Sequence, residues 1–272
     1  MNRRPAAAKL NLALTVGRVG SSGKHEVTTV LQRVALADRV SIEPARRLEV
    51  RGFERDTIVR GALAALAEAS AAEPRWRVRI DKRIPVAAGL GGGSSDAATA
   101  LRLANALLDQ PLGDAALRRL AATIGADVPF FLTAGPQLGT GDGTDLTPVD
   151  LPQDYWVLLL VPNGAHKLST GDVYRRFDER AGHAGYEDRR VRLLEGLRTV
   201  RRSGELALLP QNDLASSPLS AELRALGAFR ADVSGAGPAV YGLFHRRRTA
   251  LTAEGRLGRR GRVWMTVPAW YF

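Results

Sequence analysis

The chain has 272 residues, 45% hydrophobic and 25% charged, with a formal net charge of +11 and no cysteine. Such a composition fits a soluble globular protein of one large or two modest domains. It excludes disulfides, thiol catalysis and cysteine-ligated metal. No apolar run reaches the roughly 20 residues that span a bilayer.

The absence of cysteine fits a cytoplasmic protein. The basic start, Met1 to Lys9, lacks an apolar core, so no signal peptide is expected. Almost all of the positive charge is arginine, because the only lysines are Lys9, Lys24, Lys82 and Lys167. Arginine is densest at Arg189–Arg202 and Arg246–Arg262. Such patches suit either a nucleic-acid surface or a solvated exterior that steers small anions. No aromatic residues interleave them. The expectation is therefore a small-molecule ligand, with no nucleic-acid or membrane partner, on a monomer or homodimer.

In chain order, Lys9–Val16 and Val40–Glu43 read as strands from their alternating or β-branched apolar content. Lys9 and Asn11 share one strand face and Leu10 and Leu12 the other. The polar pair suits either a phosphate or polyol site or a plain exposed face. Ile58–Ala69 is apolar at helical spacing, and Val78–Ile80 is strand-like. Residues 85–95 then run Pro85, Val86, Ala87, Ala88, Gly89, Leu90, Gly91, Gly92, Gly93, Ser94, Ser95, ahead of an Ala-rich helix at Asp96–Leu108. Glycines let backbone approach a ligand closely, and a helix start offers unpaired N–H groups and partial positive charge. Together they make a phosphate site, or else a flexible turn. Ser94 and Ser95 suit a helix cap or a phosphate or magnesium contact.

A helix is predicted at Ala115–Ile124, with Gly125 as its left-handed cap. Asp127 follows, ahead of an apolar stretch read as a strand; it is either a turn aspartate or a catalytic group at an element junction. Residues 135–145 are glycine-rich and polar, and a domain boundary is expected near 150. The second half predicts a strand at Trp156–Val161 and helices at Asp172–Arg180, Tyr186–Ser203 and Leu219–Ala225. Its remaining strands are Ala231–Ser234, Ala239–Phe244 and Val263–Val267, with a small-residue turn from Ser234 to Pro238. The mixed order implies α+β layers.

Pro5-x-x-Ala-Lys9-x-Asn11-Leu, Pro85-x-x-x-Gly-Leu-Gly-Gly-Gly-Ser-Ser and the late Ser234-Gly-x-Gly turn, in this order, resemble the GHMP kinase superfamily. Within it the chain most resembles the 4-diphosphocytidyl-2-C-methyl-D-erythritol kinase family of the non-mevalonate isoprenoid pathway. That narrower likeness rests on Ala8 to Leu12, His25 to Val30, Ile80 to Pro85, Gly125 to Phe131 and Ser169 to Tyr174. It runs from about Lys9 to the C-terminus.

The resemblance implies a two-domain GHMP kinase fold of α+β class. A ribosomal protein S5 domain 2-like nucleotide domain (residues 1–150) would precede a ferredoxin-like α/β domain (151–272). It implies an ATP- and Mg2+-dependent kinase acting on the C2 hydroxyl of the cytidyl substrate. Asp127 would take the hydroxyl proton and Lys9 would orient it. Pro85 to Ser95 would hold the ATP phosphates, with Ser95 toward the metal. Lys82 and the Asp56–Ile58 stretch, with Thr57 between, would lie near adenine. Asn11, Lys24, His25 and Thr170 would contact the substrate. Two positions depart from the family pattern: Lys24 stands where a tyrosine stacks on cytosine, and Asp56 where asparagine is usual. The rival readings are a mevalonate- or homoserine-type GHMP kinase and a catalytically dead nucleotide-dependent regulator.

Overall fold

The computed structural model describes residues 2–21, 23–53, 56–165 and 169–269. Two very long strands, β1 (Asn2–Val19) and β2 (His25–Pro44), pair antiparallel and form the spine of the first sheet. β1 is buried on both faces from Ala6 to Val16, because helices cover one side and the second half of the chain covers the other. Lys9 and Asn11, each 4% exposed, therefore stand in the interior, and the exposed-face reading of that strand is ruled out. A bulge between Asn11 and Ala13 shifts the register just where these polar side chains emerge.

β3 (Glu49–Arg51), β4 (Trp76–Asp81), β5 (Gln137–Thr140) and β6 (Asp145–Pro148) complete the sheet in the order β3-β4-β2-β5-β6, with β1 on β2. Helices α1 (Ile58–Ala69), α2 (Gly92–Asn105) and α3 (Asp114–Ile124) pack on it. α1 matches its predicted bounds, since Val59, Ala62, Leu63, Leu66 and Ala67 make one buried stripe. α2 begins four residues before its predicted start: tertiary contacts override the low helix propensity of glycine. Its N-cap is Gly91 with no side-chain bond, so Ser94 and Ser95 do not cap it. Gly125 has φ 175, which is extended rather than left-handed, and Pro129–Leu132 forms a 3-10 turn rather than a strand.

The second sheet is wholly antiparallel, in the order β10-β7-β9-β8, from β7 (Trp156–Pro162), β8 (Arg230–Val233), β9 (Val240–Phe244) and β10 (Gly261–Thr266). Around it lie α4 (Thr170–Glu179), α5 (Tyr186–Thr199), α6 (Pro218–Ala225) and α7 (Arg247–Leu257). α5 stops short of its predicted end, and Ser203–Leu208 forms a separate 3-10 turn. α7 was not predicted: arginines dominate its composition, yet Ala250, Ala253 and Leu257 bury one face. One apolar cluster joins the two sheets, with Leu10 and Leu12 of β1, Ala88 and Leu90 of the glycine loop, and Leu159 and Tyr241 of the second sheet. Burying each such leucine contributes about 1.5–3 kcal/mol, so the loop is anchored from both sides. No helix of the described residues is long and apolar enough to cross a membrane.

Candidate active site

A cleft of ≈ 680 Å³ opens where β1, the glycine loop, the Asp127 turn and α4 converge. Pro85 to Ser94 line it, as do Lys9, Asn11, Thr57, Lys82, Asp127 and Thr170. The loop is pinned along its length. Lys9 N donates to Leu90 O (2.9 Å), Ala239 N to Ala88 O (3.0 Å) and Ser234 Oγ to Gly89 O (3.0 Å). Gly89 has φ +82, and a Cβ there would lie 2.2 Å from Ser234 O. Only glycine lets the loop dock so closely on the 234–237 turn. Behind the loop, the first turn of α2 presents N–H groups with no intrahelical partner. Such an arrangement of N–H groups suits an anion.

Lys9 Nζ stands 3.2 Å from Asp127 Oδ2 and 2.7 Å from Asn11 Oδ1. Lys9 is buried, whereas the Asp127 side chain is 37% exposed and opens on the cleft. The turn that carries Asp127 is held from beneath by Arg33 of β2, which donates to Phe130 O and Thr133 O (both 2.6 Å) and stacks over the Phe130 ring. Burial, with the nearby Arg102 charge, lowers the Arg33 guanidinium to about 10.

Lys82 reaches the cleft over the Phe53 ring, but its ammonium bonds to Asp38 and to Asp96 (2.8 Å). Burial alone would lower its pKa; the two carboxylates outweigh burial and raise it. Burial, reinforced by the Asp38 charge, pushes the Asp96 carboxyl up to about 8 against the pull of Lys82. Asp38 also accepts from Arg83 N (2.5 Å) and Ile84 N (2.8 Å), which sets the path of the chain into the loop. Asp56 lines the cleft and accepts from Val59 N at the start of α1 (2.8 Å). Burial raises its carboxyl in spite of that bond.

Three expected residues lie elsewhere. Ser95 is 2% exposed and turns away from the cleft into a recess with Arg33, Arg102 and Phe131, since successive helical residues point about 100° apart. Ser94 is the serine that faces the cleft. Lys24 does not line it: its ammonium pairs with Asp142 (2.8 Å), and Asp142 is the group that does. His25 stands behind the wall, with Nδ1 2.9 Å from Gly17 O and Nε2 3.3 Å from Asp178 Oδ2.

The wall in front of His25 is Tyr174 of α4, stacked on it with centroids 4.8 Å apart. Burial first, and then the charge of Asp127, push the Tyr174 hydroxyl up to about 12. Tyr174 belongs to the Ser169–Tyr174 segment, but nothing in the segment separates a cleft ring from a core ring; Phe177, one helical turn on, is core. Thr29 also lines the cleft, and only the hairpin register that sets it opposite Leu14 reveals it.

A family model described as GHMP kinases N terminal domain matches residues 57–135. A protein of Geobacter sulfurreducens named 4-diphosphocytidyl-2-C-methyl-D-erythritol kinase is 36% identical over 280 residues, covering 96% of each chain. One of the same name from Rhodococcus jostii is 39% identical over 258 residues, covering 86% of this chain and 80% of the relative. A crystal structure of 4-(cytidine 5'-diphospho)-2C-methyl-D-erythritol kinase superposes with TM-score 0.79 at 31% identity, covering 98% and 99% of the two chains. A crystal structure of mevalonate kinase shares the fold, with TM-score 0.74 at 11% identity.

Proposed function

Because the chain belongs to the 4-diphosphocytidyl-2-C-methyl-D-erythritol kinase family, we propose that its cleft transfers the γ-phosphoryl group of ATP to the C2 hydroxyl of 4-diphosphocytidyl-2-C-methyl-D-erythritol. The observation that carries this reading is the Lys9–Asp127 pair, at 3.2 Å, beside a glycine loop backed by a helix N-terminus. Phosphoryl transfer asks for positioning and electrostatics more than covalent chemistry. The Asp127 carboxylate accepts the proton of the C2 hydroxyl as its oxygen attacks phosphorus, and ADP leaves. Lys9 fixes the carboxylate and offsets the negative charge that develops on the transferring group. Loop N–H groups from Gly89 to Ser94 hold the phosphates. Thr57 and Lys82 border the nucleotide, and Asn11 and Thr170 the acceptor.

The stack of Tyr174 on His25 supplies the aromatic wall for the cytosine, in place of a ring at Lys24. Ser94 and Asp127 present oxygen atoms to the cleft. This suits Mg2+, which takes few protein oxygens and completes its shell with phosphate and water. Bound there, it would neutralise phosphate charge. The enzyme would act on these soluble metabolites in the cytoplasm.

The test is ATP turnover with the cytidyl substrate, mevalonate and homoserine side by side. The cytidyl substrate is expected to react, and Asp127→Asn to cut kcat by about 10²–10⁴-fold, the span of a general base, with ATP affinity held. A preference for mevalonate or homoserine would overturn the substrate; an active Asp127→Asn would overturn the mechanism.

A further inference from the structure

The mechanism gives no role to Thr29 of the cleft wall. Thr29 is 4% exposed and sits on β2 opposite Leu14 of β1, beneath Asn11. Its hydroxyl carries a single hydrogen, which it donates to Ala13 O at 2.8 Å. The oxygen is then left as an acceptor, and it accepts from Asn11 Nδ2 at 2.8 Å. The amide of Asn11 thereby presents its own oxygen to the other side, where Oδ1 accepts from Lys9 Nζ at 2.7 Å. The reverse amide orientation would set an NH2 group against an ammonium and a carbonyl oxygen against a hydroxyl whose hydrogen is already committed. Donation therefore runs one way from Lys9 through Asn11 and Thr29 to Ala13 O, and the same ammonium of Lys9 faces Asp127 on its other side.

The bulge that follows Asn11 makes the link necessary. Ladder hydrogen bonds are interrupted there, so the backbone by itself holds Asn11 less firmly than a regular strand would. The Thr29 hydroxyl fills this gap by tying Asn11 to the carbonyl on the far side of the bulge. All members of the chain are buried except Asp127, so the bonds are made in a medium of low dielectric where their directions count.

We propose that Thr29 is a positioning residue: its hydroxyl fixes the amide orientation of Asn11, and through it the direction in which Lys9 meets Asp127 and the transferring phosphoryl group. The inference rests on the reading of Lys9 and Asp127 as the phosphoryl-transfer pair. It predicts a loss in kcat rather than in nucleotide affinity, because Thr29 touches none of the loop's anchoring bonds.

The experiment is a double-mutant cycle on Thr29 and Asn11 with ATP and the cytidyl substrate. Thr29→Val keeps the branched shape and removes only the hydroxyl. It is expected to lower kcat about 10–100-fold, the scale of a misplacement near 1 Å, with KM for ATP unchanged. Thr29→Ser, which restores the donor and the acceptor, is expected to recover kcat to within about threefold of wild type. In the Asn11→Ala background, Thr29→Val should cost almost nothing further, because the group it acts through is gone. If Thr29→Val does not accumulate as folded protein, Thr29→Cys, whose thiol is a weak acceptor, takes its place in the cycle with the same expected pattern. A merely structural Thr29 would lower the melting temperature and leave kcat of the folded enzyme intact. That result, or losses that add across the cycle, overturns the proposal. Wild-type enzyme inactive on all three alcohols would instead overturn the kinase reading beneath it, and an active Asp127→Asn the assignment of Lys9 and Asp127 as the phosphoryl-transfer pair.

Discussion

Gly91 couples loop geometry to the Lys9–Asp127 pair, and Gly91→Ala measures the coupling. The residue caps α2 at φ +68, and a Cβ placed there would lie 2.8 Å from Lys9 Cγ and 3.0 Å from Phe131 Cζ. Holding alanine in the left-handed region costs about 1–2 kcal/mol. The stiffer unfolded chain offsets about 0.4–1 kcal/mol of that. Overpacking adds about 1–3 kcal/mol, since neither neighbour is the free end of a flexible chain: Lys9 is tied at Nζ by Asn11 and Asp127, and Phe131 is packed against Phe130. The net loss is about 1–5 kcal/mol, or about 2–20 °C in melting temperature at roughly 2–4 °C per kcal/mol for a chain of this size. Because the displaced atom belongs to Lys9, kcat should fall as well, by more than tenfold. Gly61 is the control. It lies in α1 with no heavy atom within 4 Å of a placed Cβ, so Gly61→Ala should stabilise by about 0.5–1 kcal/mol and leave kcat alone. Thermal unfolding and steady-state kinetics on both variants decide the matter. Gly91→Ala with wild-type melting and turnover would refute the close approach of loop and lysine.

Two further outcomes follow from charge. Lys24 neutralises Asp142 at the cleft, and its hydrogen bond is the first cause that holds the Asp142 carboxyl below its ordinary range. Lys24→Ala is expected to raise KM for the anionic cytidyl substrate, less so at high salt, and Lys24→Ala/Asp142→Ala to restore it; an unchanged KM at low salt would refute the role. Asp96 has its carboxyl raised to about 8, so the folded protein keeps a proton that the unfolded chain loses near its ordinary value of 3.8. Its contribution to stability is full below that value and fades as pH rises toward about 8. Denaturant unfolding at several pH values should therefore show a flatter dependence for Asp96→Asn than for wild type, and parallel curves would refute the assignment.

How much of this was legible beforehand depended on whether the signal was local. The loop from Pro85 to Ser94 and the stripe of α1 announce themselves within a few residues, and both stand where expected. Asp127 lines the cleft beside Lys9, in a setting that the local sequence does not give: Pro129 at the first turn starts a 3-10 turn where apolar content alone suggests a strand. The serines show the limit of a motif. Ser94 and Ser95 are chemically alike, and only the helical rotation that begins at Gly92 sends one to the cleft and the other into the interior. Tyr174 and Thr29 were invisible for a different reason. Each owes its place to a partner distant in sequence, His25 across the cleft wall and Asn11 across the hairpin, and no short-range pattern encodes such a meeting.

The distribution of charge bears on how the site holds phosphate at all. A net charge of +11 suggests a cleft rich in free cations, yet each lysine described at or beside the cleft faces a carboxylate. Lys9 meets Asp127, Lys82 meets Asp38 and Asp96, and Lys24 meets Asp142. The excess charge is carried instead by arginines spread over the surface, which raise the encounter rate of anions at long range. On the proposed reading, the groups inside the cleft that would bind phosphate are the N–H dipoles of the loop and the first turn of α2. These are fixed by the docking of Leu90 on Lys9 N and of Gly89 on Ser234, so they need little reorganisation as charge moves from the leaving oxygen to the acceptor. Salt should then slow ATP association far more than it speeds dissociation, because screening acts on the diffuse arginine field and hardly on short dipolar contacts in a partly enclosed cleft. Stopped-flow binding across ionic strength separates the two rates. A dissociation rate that rises with salt as steeply as the association rate falls would show that side-chain cations, and not the loop's backbone, carry the affinity.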